Sequence, residues 1–382
     1  MIAFLQEMVR IPSYSTQEAE MAACLSAEMK KVGFQDVTID RIGNVAGRIG
    51  PATGRTLLYN GHMDVVGIGD MSTWEHDPFA ASIRDGILYG RGASDMKGAL
   101  AAMVYGGKLL IDRGVTLHGN LVLAGAVQEE PCEGLGMRVL IEEEGLLPDY
   151  VVLGEATNLQ VSRGQRGRME IKIVAKGRSC HASAPQHGDN AIYTAARLVF
   201  GIEMLSGQLA EDRFLGPGTL AITHIENTAG SRNVVPDSCT FYIDRRLTIG
   251  ETEAKAMAEI QSILLRERAN ASAAVSEYHS VSYTGYRAQA RMYYPAWALD
   301  RDHPLVQKVC TAIRAELGYR PSIQKWDFST DGTYTMGTAG IPTVGFGPGE
   351  EKYVHTIKDQ VRIADVVRAA KGYARIASEI LS

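Results

Sequence analysis

The sequence predicts an α/β protein with a central, mostly parallel sheet, into which a second, smaller split-βαβ block is inserted. Three observations predict it. The chain has 382 residues, beyond the length at which a single core usually keeps growing. Four segments are near-continuous apolar runs bounded by turn residues, the habit of strands covered on both faces. Between them, from about Arg168 onward, the texture changes to strict alternation, as in a half-solvated antiparallel sheet.

The apolar runs are "TLLYNGHMDVV" (56–66), "GNLVLAGAVQEE" (119–130), "DYVVLGE" (149–155) and "IPTVGFG" (341–347). Helical patterns sit among them, including "KGALAAMVYGGKLLIDRG" (97–114) and "DVVRAAKGYARIASEIL" (365–381). Strands alternating with helices make a parallel α/β sheet. In the inserted block "MEIKIVAKG" reads as a strand, 190–205 as a helix, 218–226 and 238–248 as strands, 251–268 as a helix and about 274–284 as a last strand. The order β-α-β-β-α-β is the split βαβ arrangement. The chain returns to α/β texture at "HPLVQKVCTAIRAELGY" (303–319). The expected division is a discontinuous α/β domain, residues 1–166 and 286–382, with residues 167–285 inserted into it.

Composition excludes several classes of function. With 39 basic and 44 acidic residues, a net charge of −5, there is no electrostatic case for nucleic acid or an anionic membrane, and no basic stripe with interleaved aromatics. No run approaches the ~20 apolar residues needed to span a bilayer. "MIAFLQEMVRIPS" has neither a basic leader nor a small-residue cleavage site. The five cysteines, Cys24, Cys132, Cys180, Cys239 and Cys310, are scattered with no CxxC. Such a set suits reduced thiols in a cytoplasm and argues against a cysteine zinc site. A cytoplasmic protein is expected.

Ligands on open α/β sheets collect beyond the carboxyl ends of the strands. Here those ends carry His62 and Asp64 ("NGHMD"), Glu129 and Glu130 ("QEE"), and Glu155 ("LGE"), while Asp95 lies in the glycine-rich "GRGASDMKG". A second histidine, His355, follows another glycine-bounded strand pattern. Taken singly, each is weak: an acid after a strand is usually a helix cap or a solvated loop residue. Three successive strand ends with ligand-type side chains are a different matter. Five carboxylates converging in one crevice repel unless cations receive them, and a pair of divalent ions resolves the conflict. Mixed imidazole and carboxylate donors suit Zn²⁺, or Mn²⁺ and Co²⁺, better than Ca²⁺ or Mg²⁺.

"GHMDVV", "GRGASDMKGALAAM", the "EE" doublet, "GE" at Glu155 and the histidine of "GFGPGEEKYVHT" together resemble the M20 metallopeptidase family. That family includes acetylornithine deacetylase, succinyl-diaminopimelate desuccinylase, carboxypeptidase G2 and aminoacylase-1. The resemblance spans essentially the whole chain, the inserted block standing where the family has its lid and dimerisation domain. It implies a dinuclear site, with His62 and Glu155 on one ion, His355 and Glu130 on the other, and Asp95 bridging. Asp64 would accept a hydrogen bond from the far nitrogen of His62 and fix its tautomer. Glu129 would be the general base, working beside Glu130 within ~3 Å of one metal-activated water.

Three further stretches carry expectations. In "GRSCHASAP" (177–185), the resemblance makes His181 a donor to the tetrahedral oxyanion, reaching across a homodimer formed through the lid. "SRNVVPDSCTFYIDRR" (231–246) offers Asn233 and Arg246 to a substrate carboxylate, Arg being the bidentate choice. "FSTDGTYTMG" (328–337) either lines the pocket or caps a short helix. The expected reaction on a small-molecule substrate is hydrolysis of an amide bond beside a free carboxylate, in an N-acyl amino acid or a small peptide-like substrate. Glutamate at 155 is typical of the deacylase and carboxypeptidase branches; the alternatives are a dipeptidase or aminopeptidase, and a non-catalytic binding relative. "RGQRGRMEI" and "GRSCHASAP" are most similar to a bacterial subgroup of hydrolases linked by name to selenium metabolism.

Overall fold

A computed structural model describes residues 1–382. The parallel middle of its central sheet sets the strand Thr56–His62 between Asn120–Ala126 and Tyr150–Leu153, with Thr343–Gly345 parallel to the last. Antiparallel strands close both flanks. Val45–Ile49 and then Gln35–Ile39 lie beyond Asn120–Ala126; Val161–Gln165 and then Trp297–Ala298 lie beyond Thr343–Gly345.

Both faces of the sheet are covered, which is why its strands read as unbroken apolar runs. Successive side chains point to opposite faces. Leu57, Tyr59, Leu121 and Leu123 therefore enter the larger core, while Leu58, Val122, Ala124 and Ala126 enter a smaller one with Trp297 and Trp326. Over the larger core the helix Ile363–Leu381 packs between Gly98–Asp112 and Pro304–Leu317. Gly106 permits the close approach, since a Cβ there would lie 2.9 Å from the Ala370 carbonyl oxygen. No helix is long and apolar enough to cross a membrane.

Gly345 illustrates how tightly the sheet is filled. A Cβ built on it would lie 1.9 Å from the indole of fully buried Trp326. Gly345→Ala is expected to destabilise the protein by about 1–3 kcal/mol or more through overpacking, seen as a lowered thermal midpoint. An unchanged midpoint would mean that Trp326 can move aside at no cost.

The inserted block is an antiparallel sheet in the order Thr219–Asn227, Ser238–Leu247, Gly167–Lys176, Ala271–Val275, with Tyr293–Tyr294 joining the start of Gly167–Lys176. Met169, Ile171 and Ile173 alternate inward with Phe241 and Ile243, and meet the helices Ala191–Ser206 and Glu253–Arg266 in a core of their own. The chain order is the split βαβ read from the pattern.

One element differs. The last strand, expected near 274–284, ends at Val275, and a separate hairpin follows, Glu277–Val281 paired with Arg287–Arg291. Past Val275, which pairs with Ile171, the next positions on that edge are taken by Tyr293 and Tyr294, paired with Met169 and Arg168. The tyrosines of the hairpin find partners on the larger block instead: the hydroxyls of Tyr278, Tyr283 and Tyr286 donate to Gln128, to the Gly43 carbonyl and to Glu143.

Candidate active site

Parallel strands deliver their carboxyl ends to one crevice. His62 closes Thr56–His62, the Glu129–Glu130 pair follows Asn120–Ala126, and Glu155 follows Tyr150–Leu153. Asp95 comes from the turn that opens the helix Gly98–Asp112, and His355 from the loop after Thr343–Gly345.

These side chains meet around Asp95. Its Oδ1 is 2.9 Å from His62 Nε2 and its Oδ2 is 3.1 Å from His355 Nε2. Glu155 Oε1 lies 3.7 Å from His62 Nε2, and Glu130 Oε2 lies 2.9 Å from His355 Nε2. The donors thus form two sets that share one carboxylate. Glu129 sits beside them, with an oxygen within 4.8 Å of ligand atoms of both His62 and Glu155. Its Oε1 is buried and has no hydrogen-bond partner.

The electrostatics describe a cluster short of positive charge. Burial pushes the carboxyls of Glu129, Glu130 and Glu155 above the usual range, and neighbouring carboxylates push them further. Burial opposes charge on the imidazoles, but it is outweighed by Asp95 at His62 and by Asp95 and Glu130 at His355, which is pushed up to about 10. Imidazole nitrogens and carboxylate oxygens in two sets, with an unpaired carboxylate alongside, fit divalent cations.

The backbone around the cluster is held by buried acids, one of them in an unexpected way. His62 Nδ1 lies 2.9 Å from the main-chain carbonyl oxygen of Asp64, whose carboxylate is 3.7 Å away. The hydrogen bond expected from the Asp64 side chain is therefore made by its own carbonyl. The carboxylate is committed elsewhere: it accepts from the amides of Glu129 (3.1 Å) and Glu130 (3.2 Å) and from Ser15 Oγ (2.6 Å). Asp359, which the sequence did not single out, braces the loop of Asp95. It accepts from the amides of Gly92 (2.7 Å) and Ser94 (2.9 Å) and pairs with buried Arg91 at 3.1 Å. Nothing local marks Asp359 for this, because its partners are more than 260 positions away.

A cleft of ≈ 500 Å³ opens over the donors, and its far wall belongs to the inserted block. Arg246 lines it, held on Asp244 at 2.7 and 3.2 Å. Directly opposite in register, Arg168 bonds both oxygens of Glu133 (2.9 and 3.1 Å) and reaches Asp244 at 3.2 Å. Arg168, Asp244 and Glu133 are cleft residues that sequence reasoning missed; Glu133, four positions after Glu129, was the available signal. Of the 328–337 stretch, Phe328 and Ser329 line the cleft. Asp331 instead turns inward and accepts from Asn60 Nδ2 (3.0 Å) and the Gly134 amide (2.9 Å). His181 and Asn233 are not brought to this cleft. Both are exposed on a short ribbon, Cys180–His181 paired with Val234–Val235, where the Asn233 carbonyl accepts from the Ala182 amide at 2.9 Å.

Residues 58–379 match the family described as Peptidase family M20/M25/M40. The uncharacterized protein YgeY of Escherichia coli (strain K12) is 43% identical over 376 residues, 98% of this chain and 93% of that protein. Succinyl-diaminopimelate desuccinylase 2 of Ruegeria sp. (strain TM1040) is 30% identical over 384 residues, 97% of this chain and 92% of its own. Among solved structures, the M20 family metallo-carboxypeptidase Sso-CP2 from Sulfolobus solfataricus has the same fold, with a TM-score of 0.77 at 19% identity over 99% of this chain and 98% of that one. With the family matched over residues 58–379 and with donors for divalent cations at its strand ends, the protein belongs to peptidase family M20/M25/M40.

Proposed function

We propose that the protein hydrolyses the amide bond of an N-acyl amino acid, or of a small peptide-like substrate with a free carboxylate, using two divalent ions and Glu129 as general base. The observation that carries this is the pair of donor sets sharing Asp95, with the unpartnered Glu129 carboxylate beside them. His62 and Glu155 would hold one ion, His355 and Glu130 the other, and Asp95 both. Zn²⁺ is the proposed ion, and the same donors accept Co²⁺ or Mn²⁺. The chemistry such ions supply when bound is an acidified water and a polarised carbonyl. Glu129 takes the proton of the attacking water and returns it to the departing amine. Arg246, facing the donors across the cleft, holds the substrate carboxylate.

His181 and Asn233 would complete the cleft of a second copy in a homodimer joined through the inserted block, which acts as lid and dimerisation domain. Two features support this. Thr219–Asn227 is an edge strand whose outer side is unpaired, and sheet edges of that length are usually covered. The helix packed on it exposes Tyr193, Phe200 and Met204. A cytoplasmic location agrees with five free cysteines.

The test is amine release from a panel of N-acyl amino acids and dipeptides, with Zn²⁺ or Mn²⁺ added. Release from N-acyl amino acids alone is the expected result, and release from dipeptides alone would assign a dipeptidase. Silence on both from a protein holding two ions per chain would overturn the reading.

A further inference from the structure

Resting on the reading of Glu129 as general base, we infer that Tyr278 and Ser280 are positioning residues for the reaction, acting through Gln128 from a hairpin outside the cleft. Gln128 immediately precedes the acidic doublet. It is fully buried and has a φ of 56°, the left-handed region that non-glycine residues rarely adopt. This turn presents successive amides to two buried carboxylates. The Gln128 amide donates to Glu18 Oε1 at 3.1 Å, and those of Glu129 and Glu130 donate to the two oxygens of Asp64 at 3.1 and 3.2 Å. The carboxylates hold the main chain of the turn, while the hairpin holds its side chain. Gln128 Oε1 accepts from Tyr278 Oη at 2.9 Å and from Ser280 Oγ at 2.5 Å.

The hairpin is built to hold that contact still. Tyr278 and Ser280 share the inward face of Glu277–Val281, while Glu277, His279 and Val281 between and around them are exposed, the period of two expected of a strand. The tip is fixed separately to the larger block, by Tyr283 Oη on the Gly43 carbonyl (2.8 Å) and Thr284 Oγ1 on the Arg41 carbonyl (2.6 Å). Neither Tyr278 nor Ser280 lines the cleft. Any influence on turnover must therefore pass through the turn that aims Glu129. Arg246 on the opposite wall is untouched, so the influence falls on kcat and spares KM.

The experiment compares Tyr278→Phe, Ser280→Ala and the double variant in the metal-loaded enzyme, on whichever panel substrate is hydrolysed. A small misplacement of a catalytic group costs up to about 10²-fold in rate. The double variant is expected to lose at least about 10-fold in kcat with KM within about 2-fold of wild type. Its metal content should be unchanged, and amide exchange at residues 127–130 should be faster. Ser280→Thr, which keeps the hydroxyl, should restore turnover relative to Ser280→Ala. An unchanged kcat, or a loss that appears only in KM or only as lost metal, overturns the inference. If the double variant does not fold, Ser280→Ala, which removes one hydroxyl from a half-buried position, decides the question by the same kcat and exchange readouts. Glu129→Gln separates the two readings. If it abolishes turnover while these variants do not, only the positioning role fails; if it retains turnover, the base assignment itself has failed.

Discussion

Glu129→Gln is expected to keep both ions and to lower kcat by about 10²–10⁴-fold, the usual worth of a positioned general base. The substitution preserves the shape of the side chain and removes only its ability to accept a proton. The main chain stays anchored, because the Glu129 amide is held by Asp64 at 3.1 Å whatever the side chain is. A competing role is built into the same geometry. Glu129, His62 and Glu155 present donor atoms within 4.8 Å of one another, so Glu129 could itself ligate. Metal analysis together with steady-state kinetics distinguishes the two. A variant with two ions and almost no turnover identifies a base; a variant with one ion identifies a ligand; near-normal turnover would exclude both roles.

What the sequence revealed of this site, and what it concealed, follows from what local patterns report. The runs at 56–66 and 119–130 announced doubly covered strands, and once strands are placed their carboxyl ends are known. His62, Glu129, Glu130 and Glu155 are therefore legible as neighbours, although far apart in the chain. Periodicity says that a face is buried but not what buries it. At Ser276 the inward positions change from odd (Ala271, Ala273, Val275) to even (Tyr278, Ser280), but that change of phase does not say that Val275 belongs to the inserted sheet and Tyr278 to a hairpin on the larger block. The same limit hides Arg168, whose partner Glu133 is 35 positions away on the other block. Asp64 shows a finer limit. Spacing from His62 correctly suggests proximity, but main chain and side chain of one residue are both within reach of the imidazole, and only geometry assigns the bond to the carbonyl.

His181→Ala is expected to lower kcat by about 10²–10³-fold, the cost of losing one oxyanion donor, with both ions retained. The structure supplies a reason in the tautomer. His181 Nδ1 lies 3.1 Å from the Ser183 amide nitrogen, which can only donate, so Nδ1 is the acceptor. In the neutral ring the proton then sits on Nε2. His181 thus holds an N–H donor on an exposed ribbon, away from its own chain's cleft. On the proposed reading, a second copy brings a cleft to this donor. Mixing the inactive His181→Ala and Glu129→Gln proteins tests the arrangement directly. Under two-fold symmetry, each mixed dimer contains one cleft with an intact Glu129 facing the partner's intact histidine. Random exchange should then restore about a quarter of wild-type activity. If His181 instead served its own chain, every cleft in every mixed dimer would lack one of the two groups, and no activity would return.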